Sequence, residues 1–148
     1  MSNLEQTLSI IKPDAVERNL ENEIKEIFKN NGFSILKEKK IKIEKSEAEN
    51  FYKVHETKPF YNDLCEYLSS GPIVVMVLEK ENAVLGNREL MGAANPKDAK
   101  EGTIRKKYGI SIDKNSVHGS DSVENAKIEI DFFFKNFYLF FCNDLTRI

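Results

Sequence analysis

Six consecutive apolar residues at 73–78 (IVVMVL), with Ser70-Gly71-Pro72 before them and Glu79-Lys80-Glu81 after, constrain the fold of this chain more than any other stretch. A continuous apolar run of strand length suits the buried middle of a sheet, so the rest of the chain has to supply its neighbours. Residues 5–12 (EQTLSIIK) form a first strand, stopped by Pro13, whose ring holds the preceding residue extended. In 33–43 (FSILKEKKIKI), Phe33 and Ile35, then Ile41 and Ile43, alternate as in a strand with one wet face. A short extended piece at 116–119 completes four strands.

Helical patterns fill the gaps. A helical region begins at Asp14, and Leu20, Ile24, Ile27 and Phe28 fall on one face of a helix ending near Asn31-Gly32. Ser46 and Glu49 have the capping-box spacing ahead of Ala48, Phe51, Tyr52 and His55. Further helices are expected over 60–69 and 82–91, and a last one through Val123, Ala126, Ile130, Phe133 and Phe134. Between them, 92–117 reads as a loop of about 25 residues, long enough to be sought as the place where chemistry sits. This order fits a ferredoxin-like βαββαβ α/β (α+β) sandwich, a four-stranded antiparallel sheet with added helices, and the helices are expected on one side.

The 148 residues suffice for one domain with one core, and no repeat, linker or low-complexity tract divides them. With 41% hydrophobic and 31% charged residues the composition is that of a folded globule, not of a disordered chain. Lys and Arg number 22 against 24 Asp and Glu, a net charge of −2, which argues against a nucleic-acid partner because such proteins show net positive charge. Cys65 and Cys142 have no CxxC or CxxH spacing and read as buried packing residues in a reducing, cytoplasmic setting. The N-terminus lacks the pattern of a signal peptide, and the most apolar window, 130–142, is broken by Asp131, Lys135 and Asn136, so no membrane association is expected.

His118 in NSVHGSDS is the first candidate for chemistry. A lone histidine is more often structural, but Gly119 leaves room beside the imidazole, and Asp121 or Ser122 can cap the helix that follows. Glu129 lies two turns into that helix. A carboxylate bonded to one ring nitrogen fixes the tautomer and frees the other nitrogen to attack, although by spacing alone Glu129 reads first as a solvated helix charge. Lys12, Arg88 and Arg105 are individually ordinary, yet together could hold a triphosphate. Neither GxxxxGK[ST] nor GxGxxG occurs, so nucleotide binding needs another design. His55 is a weaker candidate for a second catalytic group, on a helix.

Seven blocks carry a resemblance: IIKPDAV at 10–16, KPF at 58–60, SGPIVV at 70–75, ENAVL at 81–85, GAANP at 92–96, GTIR at 102–105 and NSVHGSDS at 115–122. In order and spacing they resemble the successive motifs of nucleoside diphosphate kinases, over residues 5–134. The resemblance implies transfer of the γ-phosphate of a nucleoside triphosphate, typically ATP, to a nucleoside diphosphate. The route it implies is a ping-pong cycle with phosphohistidine on His118. It places Glu129 as the carboxylate orienting the imidazole, Ser120 as its hydrogen-bonded neighbour and Tyr52 as an active-site tyrosine. It makes Lys12, Arg88 and Arg105 phosphate-binding cations, Asn115 with Lys12 contacts to the sugar 3'-hydroxyl, Phe60 the aromatic stacked on the base and Ile112 the apolar group on its other side. Mg2+ is expected to arrive with the phosphates, without protein metal ligands. A cytoplasmic homo-oligomer, tetramer or hexamer, is implied; the tail 136–148 of the single 1–148 domain lacks the family's usual endings, and its aromatic cluster from Phe137 to Phe141, more apolar than a free tail should be, is expected at a subunit interface.

Departures from the family pattern bear on function. Ala94 stands where the family has a Thr whose hydroxyl contacts phosphate, a contact worth about 1.5–3 kcal/mol unless the backbone or a water replaces it. Asn19 and Asn22 replace glycines common after Arg18, and Asn tolerates left-handed geometry. The alternative function is a catalytically impaired, nucleotide-binding regulatory module of the same fold. Against it, His118, Lys12, Arg88, Arg105, Asn115 and Glu129 are all present.

Overall fold

The structure, a computed structural model, describes residues 4–135. Within them, β1 (Leu4–Ile11), β2 (Ser34–Ile41), β3 (Ile73–Glu81) and β4 (Val117–Gly119) make one antiparallel sheet in the order β2-β3-β1-β4. The helices are α1 (Pro13–Glu17), α2 (Glu21–Asn30), α3 (Lys45–Phe51), α4 (Tyr61–Leu68), α5 (Ala83–Met91), α6 (Ile104–Tyr108) and α7 (Val123–Phe133). This is the expected ferredoxin-like α+β fold, with the two central strands, β1 and β3, antiparallel along their whole length.

The run at 73–78 is buried throughout, and its side chains split by parity. Ile73, Val75 and Val77 join Leu8 and Ile10 in one cluster, while Val74, Met76 and Leu78 join Ile11 and Val117 in another. Residues from α3, α4 and α7 fill the first cluster; residues from α1, α2, α5 and α6 fill the second. The helices therefore lie on both sides of the sheet, not on one. A strand apolar at every position demands this, because each face must be taken from water.

The alternation in β2 hides a second correction. Phe33 and Ile35 pack in the second cluster, but Ile41 and Ile43 pack in the first, although all four have the same parity. The register against β3 shifts between Ile35 and Lys37, so one extra residue, Leu36, turns the rest of the strand over. A strand with a single wet face does not describe it.

Smaller differences have local causes. The helical region from Asp14 to Asn31 is two helices, broken where Asn19 takes φ 60°, left-handed geometry that asparagine accepts. Asn22 needs no such tolerance, since it lies inside α2. The cap of α3 is Glu44, whose N–H donates to the Glu47 carboxylate at 3.1 Å, two positions before the expected Ser46. That helix stops at Phe51, and Lys53–His55 is a 3₁₀ turn. The stretch 92–117 is not all loop: Thr103 caps α6, accepting from the Lys106 N–H at 3.3 Å. Cys65 is fully buried, as expected. Cys142 and the aromatic cluster of the tail lie outside the described residues.

Candidate active site

His118 is the middle residue of β4 and pairs with Ile10, so its ring projects onto the face that α3 and α7 cover. Ser122 starts α7, its hydroxyl accepting from the Asn125 N–H at 3.0 Å, a cap worth about 1 kcal/mol. That start fixes where Glu129 falls. Its Oε1 accepts from His118 Nε2 at 3.0 Å and from Ser120 Oγ at 2.9 Å. Ser120, fully buried, accepts in turn from the Leu8 N–H at 3.2 Å, which ties the carboxylate to the central strand. Because a carboxylate only accepts, Nε2 is the donor and the lone pair resides on Nδ1. Glu129, which by spacing alone reads as a solvated charge, is thus engaged twice.

A cavity of about 260 Å³ is lined by His118, Glu129, Tyr52, Arg88 and His55, among others. Phe51 and Tyr52 meet the imidazole edge-on, with ring centroids 5.3 and 6.2 Å away. Burial, and after it the charge of Glu129, raises the Tyr52 phenol pKa, so it stays neutral. His55 extends the row of rings from Tyr52 to Phe60, at 6.3 Å from each. Burial first and Lys58 second lower its pKa, which favours the uncharged ring. Phe51 escaped the sequence reading as a site residue; its position at helical spacing marked it only as packing.

Beside this pocket is a second, cationic group. Lys12 follows β1 in extended geometry and, although 5% exposed, carries an ammonium whose Nζ donates to Asn115 Oδ1 at 2.9 Å. Its pKa is lowered to about 8, by burial foremost and then by Arg105. Asn115 is itself held, its Nδ2 donating to the Ala94 carbonyl at 3.0 Å. Arg105 lies in the first turn of α6, not in a loop, and donates to the carbonyls of Gly92 at 3.0 Å and Val117 at 2.8 Å. Its Nε is buried without a hydrogen-bond partner among the described residues, and burial, then Arg88, lowers its pKa to about 10. Such a site has its cations fixed before an anion arrives, and repelling one another.

The remaining expected residues stand apart. Phe60, at the start of α4, is 47% exposed, with Lys58 Nζ 5.7 Å from its ring centre. Ile112 is 57% exposed in the loop before β4. No hydrogen bond or ring contact joins Ile112 to the pocket among the described residues. Gly119 also needs a different account. A side chain there would strike Asn87 and Met91, with Asn87 Nδ2 2.4 Å from the added carbon, so the glycine makes room for α5 and not for the imidazole.

Comparison with known proteins identifies the family of the chain. The family model of nucleoside diphosphate kinase matches residues 5–139. A nucleoside diphosphate kinase of Campylobacter jejuni is 61% identical over 132 residues, covering 89% of this chain and 96% of that protein. One from Nitratiruptor is 59% identical over 131 residues, covering 88% and 96%. Among solved structures, the Aquifex aeolicus nucleoside diphosphate kinase superposes with a TM-score of 0.87 at 39% identity, over 89% of this chain and 96% of that one. That of Encephalitozoon cuniculi gives 0.85 at 38% identity, over 88% of each chain. With a matched domain that spans almost the whole chain, a common fold and relatives at this identity, the chain belongs to the nucleoside diphosphate kinase family.

Proposed function

We propose that this enzyme moves the γ-phosphate of a nucleoside triphosphate to a nucleoside diphosphate in two displacements at His118. The observation that carries the reading is the bond from His118 Nε2 to Glu129, which leaves Nδ1 as the nucleophile. In the first half, Nδ1 forms a bond to the terminal phosphorus, the bond from that phosphorus to the bridging oxygen breaks, and the diphosphate leaves with the electron pair. In the second, an oxygen of the incoming diphosphate takes the phosphoryl group and Nδ1 recovers its lone pair. Glu129 balances the positive charge that the imidazole acquires, and Ser120 holds Glu129 in place.

Lys12, Arg88 and Arg105 would meet the phosphate oxygens, stabilising charge through a loose transition state. Asn115 with Lys12 would reach the sugar hydroxyl, Tyr52 would pack beside the reacting centre, and Phe60 with Ile112 would cover the base. Stacking reads every base alike, which supports broad substrate range. Mg2+ would bind the nucleotide's own phosphates and neutralise part of their charge. The carboxylates lining the cavity fit that role for the phosphates, because Glu129 is engaged by His118 and Ser120, and Asp121 by Asn125. No helix among the described residues is long and apolar enough to cross a membrane. We place the protein in the cytoplasm as a homo-oligomer of single-domain subunits.

The test is transfer of label. Protein incubated with ATP labelled on its terminal phosphate is expected to become labelled in an acid-labile, alkali-stable form and to pass the label to unlabelled GDP. His118→Ala should take no label and lose turnover by roughly 10⁴-fold or more. An unlabelled wild type, or a labelled His118→Ala, would overturn the reading.

A further inference from the structure

Between Asn115 and Val117 the backbone is strained. Ser116 has φ 74°, a left-handed value uncommon for any residue but glycine, and is fully buried. The Val117 N–H donates to the Asn115 carbonyl at 2.9 Å across it, closing a γ-turn of the rare positive-φ kind. On one side of this turn stands Asn115, bonded to Lys12 Nζ; on the other, Val117 starts the strand of His118. The Ser116 carbonyl accepts from the Lys12 N–H at 2.8 Å. Ser116 therefore sets the backbone of Lys12 directly and its ammonium through Asn115.

A conformation of this kind persists only where surrounding groups over-determine it. Those groups are present and take no part in the proposed reaction. Ser116 Oγ donates to Asp14 Oδ2 at 2.9 Å and accepts from Arg18 Nη2 at 3.3 Å. Asp14, 4% exposed, also accepts from Arg18 at 3.0 Å and from the Tyr67 hydroxyl. Tyr67 takes the Asp14 N–H at 2.8 Å, and Arg18 binds the Tyr108 carbonyl at 2.7 Å. Helices α1 and α4 and the end of α6 are thus pinned to one turn by a buried carboxylate.

We infer that Asp14, with Tyr67 and Arg18, is a positioning group for nucleotide binding: it holds Ser116 left-handed and so keeps Lys12 and Asn115 aimed at the substrate. The inference rests on the proposed roles of Lys12 and Asn115. It also separates strain from packing. Ser116→Ala removes the anchor and leaves the disfavoured backbone, whereas Ser116→Gly removes the anchor and the backbone penalty together.

The experiment measures ADP affinity by titration calorimetry in a His118→Ala background, where no turnover occurs, for Ser116→Ala, Ser116→Gly and Asp14→Asn. Alanine is expected to weaken ADP binding about tenfold. Glycine should fall nearer to the parent protein, although it leaves the larger cavity. With His118 intact, the same order should appear in KM, and kcat at saturation should change far less. If glycine is as poor as alanine or poorer, the site acts through packing and the inference fails; unchanged affinity in both overturns it too. Should Asp14→Asn not fold, the two serine variants decide. Phosphoenzyme formation is assayed separately, so a failure of the two-displacement reaction would show there and not in these affinities.

Discussion

The two ends of the proposed nucleotide site are built on different principles. At the end that would meet the phosphates and the sugar hydroxyl, Lys12 and Asn115 are 5% and 4% exposed, bonded to each other, and held by carbonyls of distant segments. At the base end Phe60 and Ile112 are 47% and 57% exposed. Phosphates have one charge pattern in every nucleotide, so rigid groups can be set for them in advance and need no reorganisation. Bases differ in every edge and share only their flat faces, so an exposed ring that recognises a face suits them all. The difference teaches that pre-organisation has been placed where the ligand is constant.

Three measurements would break or sharpen the contrast. Lys12→Met should cost most. It removes a buried charge and strands Asn115 Oδ1, so KM for any nucleoside diphosphate is expected to rise about 100-fold. Equal loss at Phe60 would erase the distinction. Phe60→Ala should raise KM about tenfold, by a similar factor for purines and pyrimidines, with little change in Tm because the ring is half in water. A base-dependent loss would mean that an edge and not a face is being read.

The smallest effect concerns pH. The Lys12 ammonium has its pKa near 8 because burial foremost and Arg105 second disfavour the charge. KM is therefore expected to climb by roughly fivefold from pH 8 to 9 as the proton leaves, and Lys12→Arg, which stays charged, should flatten the rise. Stability should move the other way in this window. From about 8 up to the ordinary 10.5 the unfolded chain binds the proton that the native one has lost, so this group's contribution to folding grows with pH.

Much of this molecule is legible in its residues, and what is not has a physical reason. The run at 73–78 announces β3, and the spacing of Leu20, Ile24, Ile27 and Phe28 announces α2, because both patterns repeat long enough to exclude alternatives. Helix α6 has five residues and one fully buried apolar side chain, Ile104, so no period can develop. Covering on both faces was implied by the β3 run but obscured by the polar stretch of β2. His118, Glu129 and the three cations were reachable through motifs, yet the bonds that hold them were not, since His118 with Glu129 joins β4 to α7, Lys12 with Asn115 joins the end of β1 to the loop before β4, and Arg105 joins α6 to β4. In the sequence Asp14 marks only the start of a helical region; the approach of Tyr67 and Ser116, from distant segments, makes it a buried acceptor.

The extra residue in β2 marks a point at which the chain can change length. Substitution of Leu36, which is partly exposed, leaves the parity of the strand intact. Deleting it would place Lys37 directly after Ile35 in continuous pairing, with Lys37 still opposite Val77 and Ile41 still opposite Ile73, so Ile41 and Ile43 would keep the cluster they complete. A one-residue gap at the bulge is therefore a change that the two packed faces can absorb, so sequences that keep both faces can differ in length by this one residue.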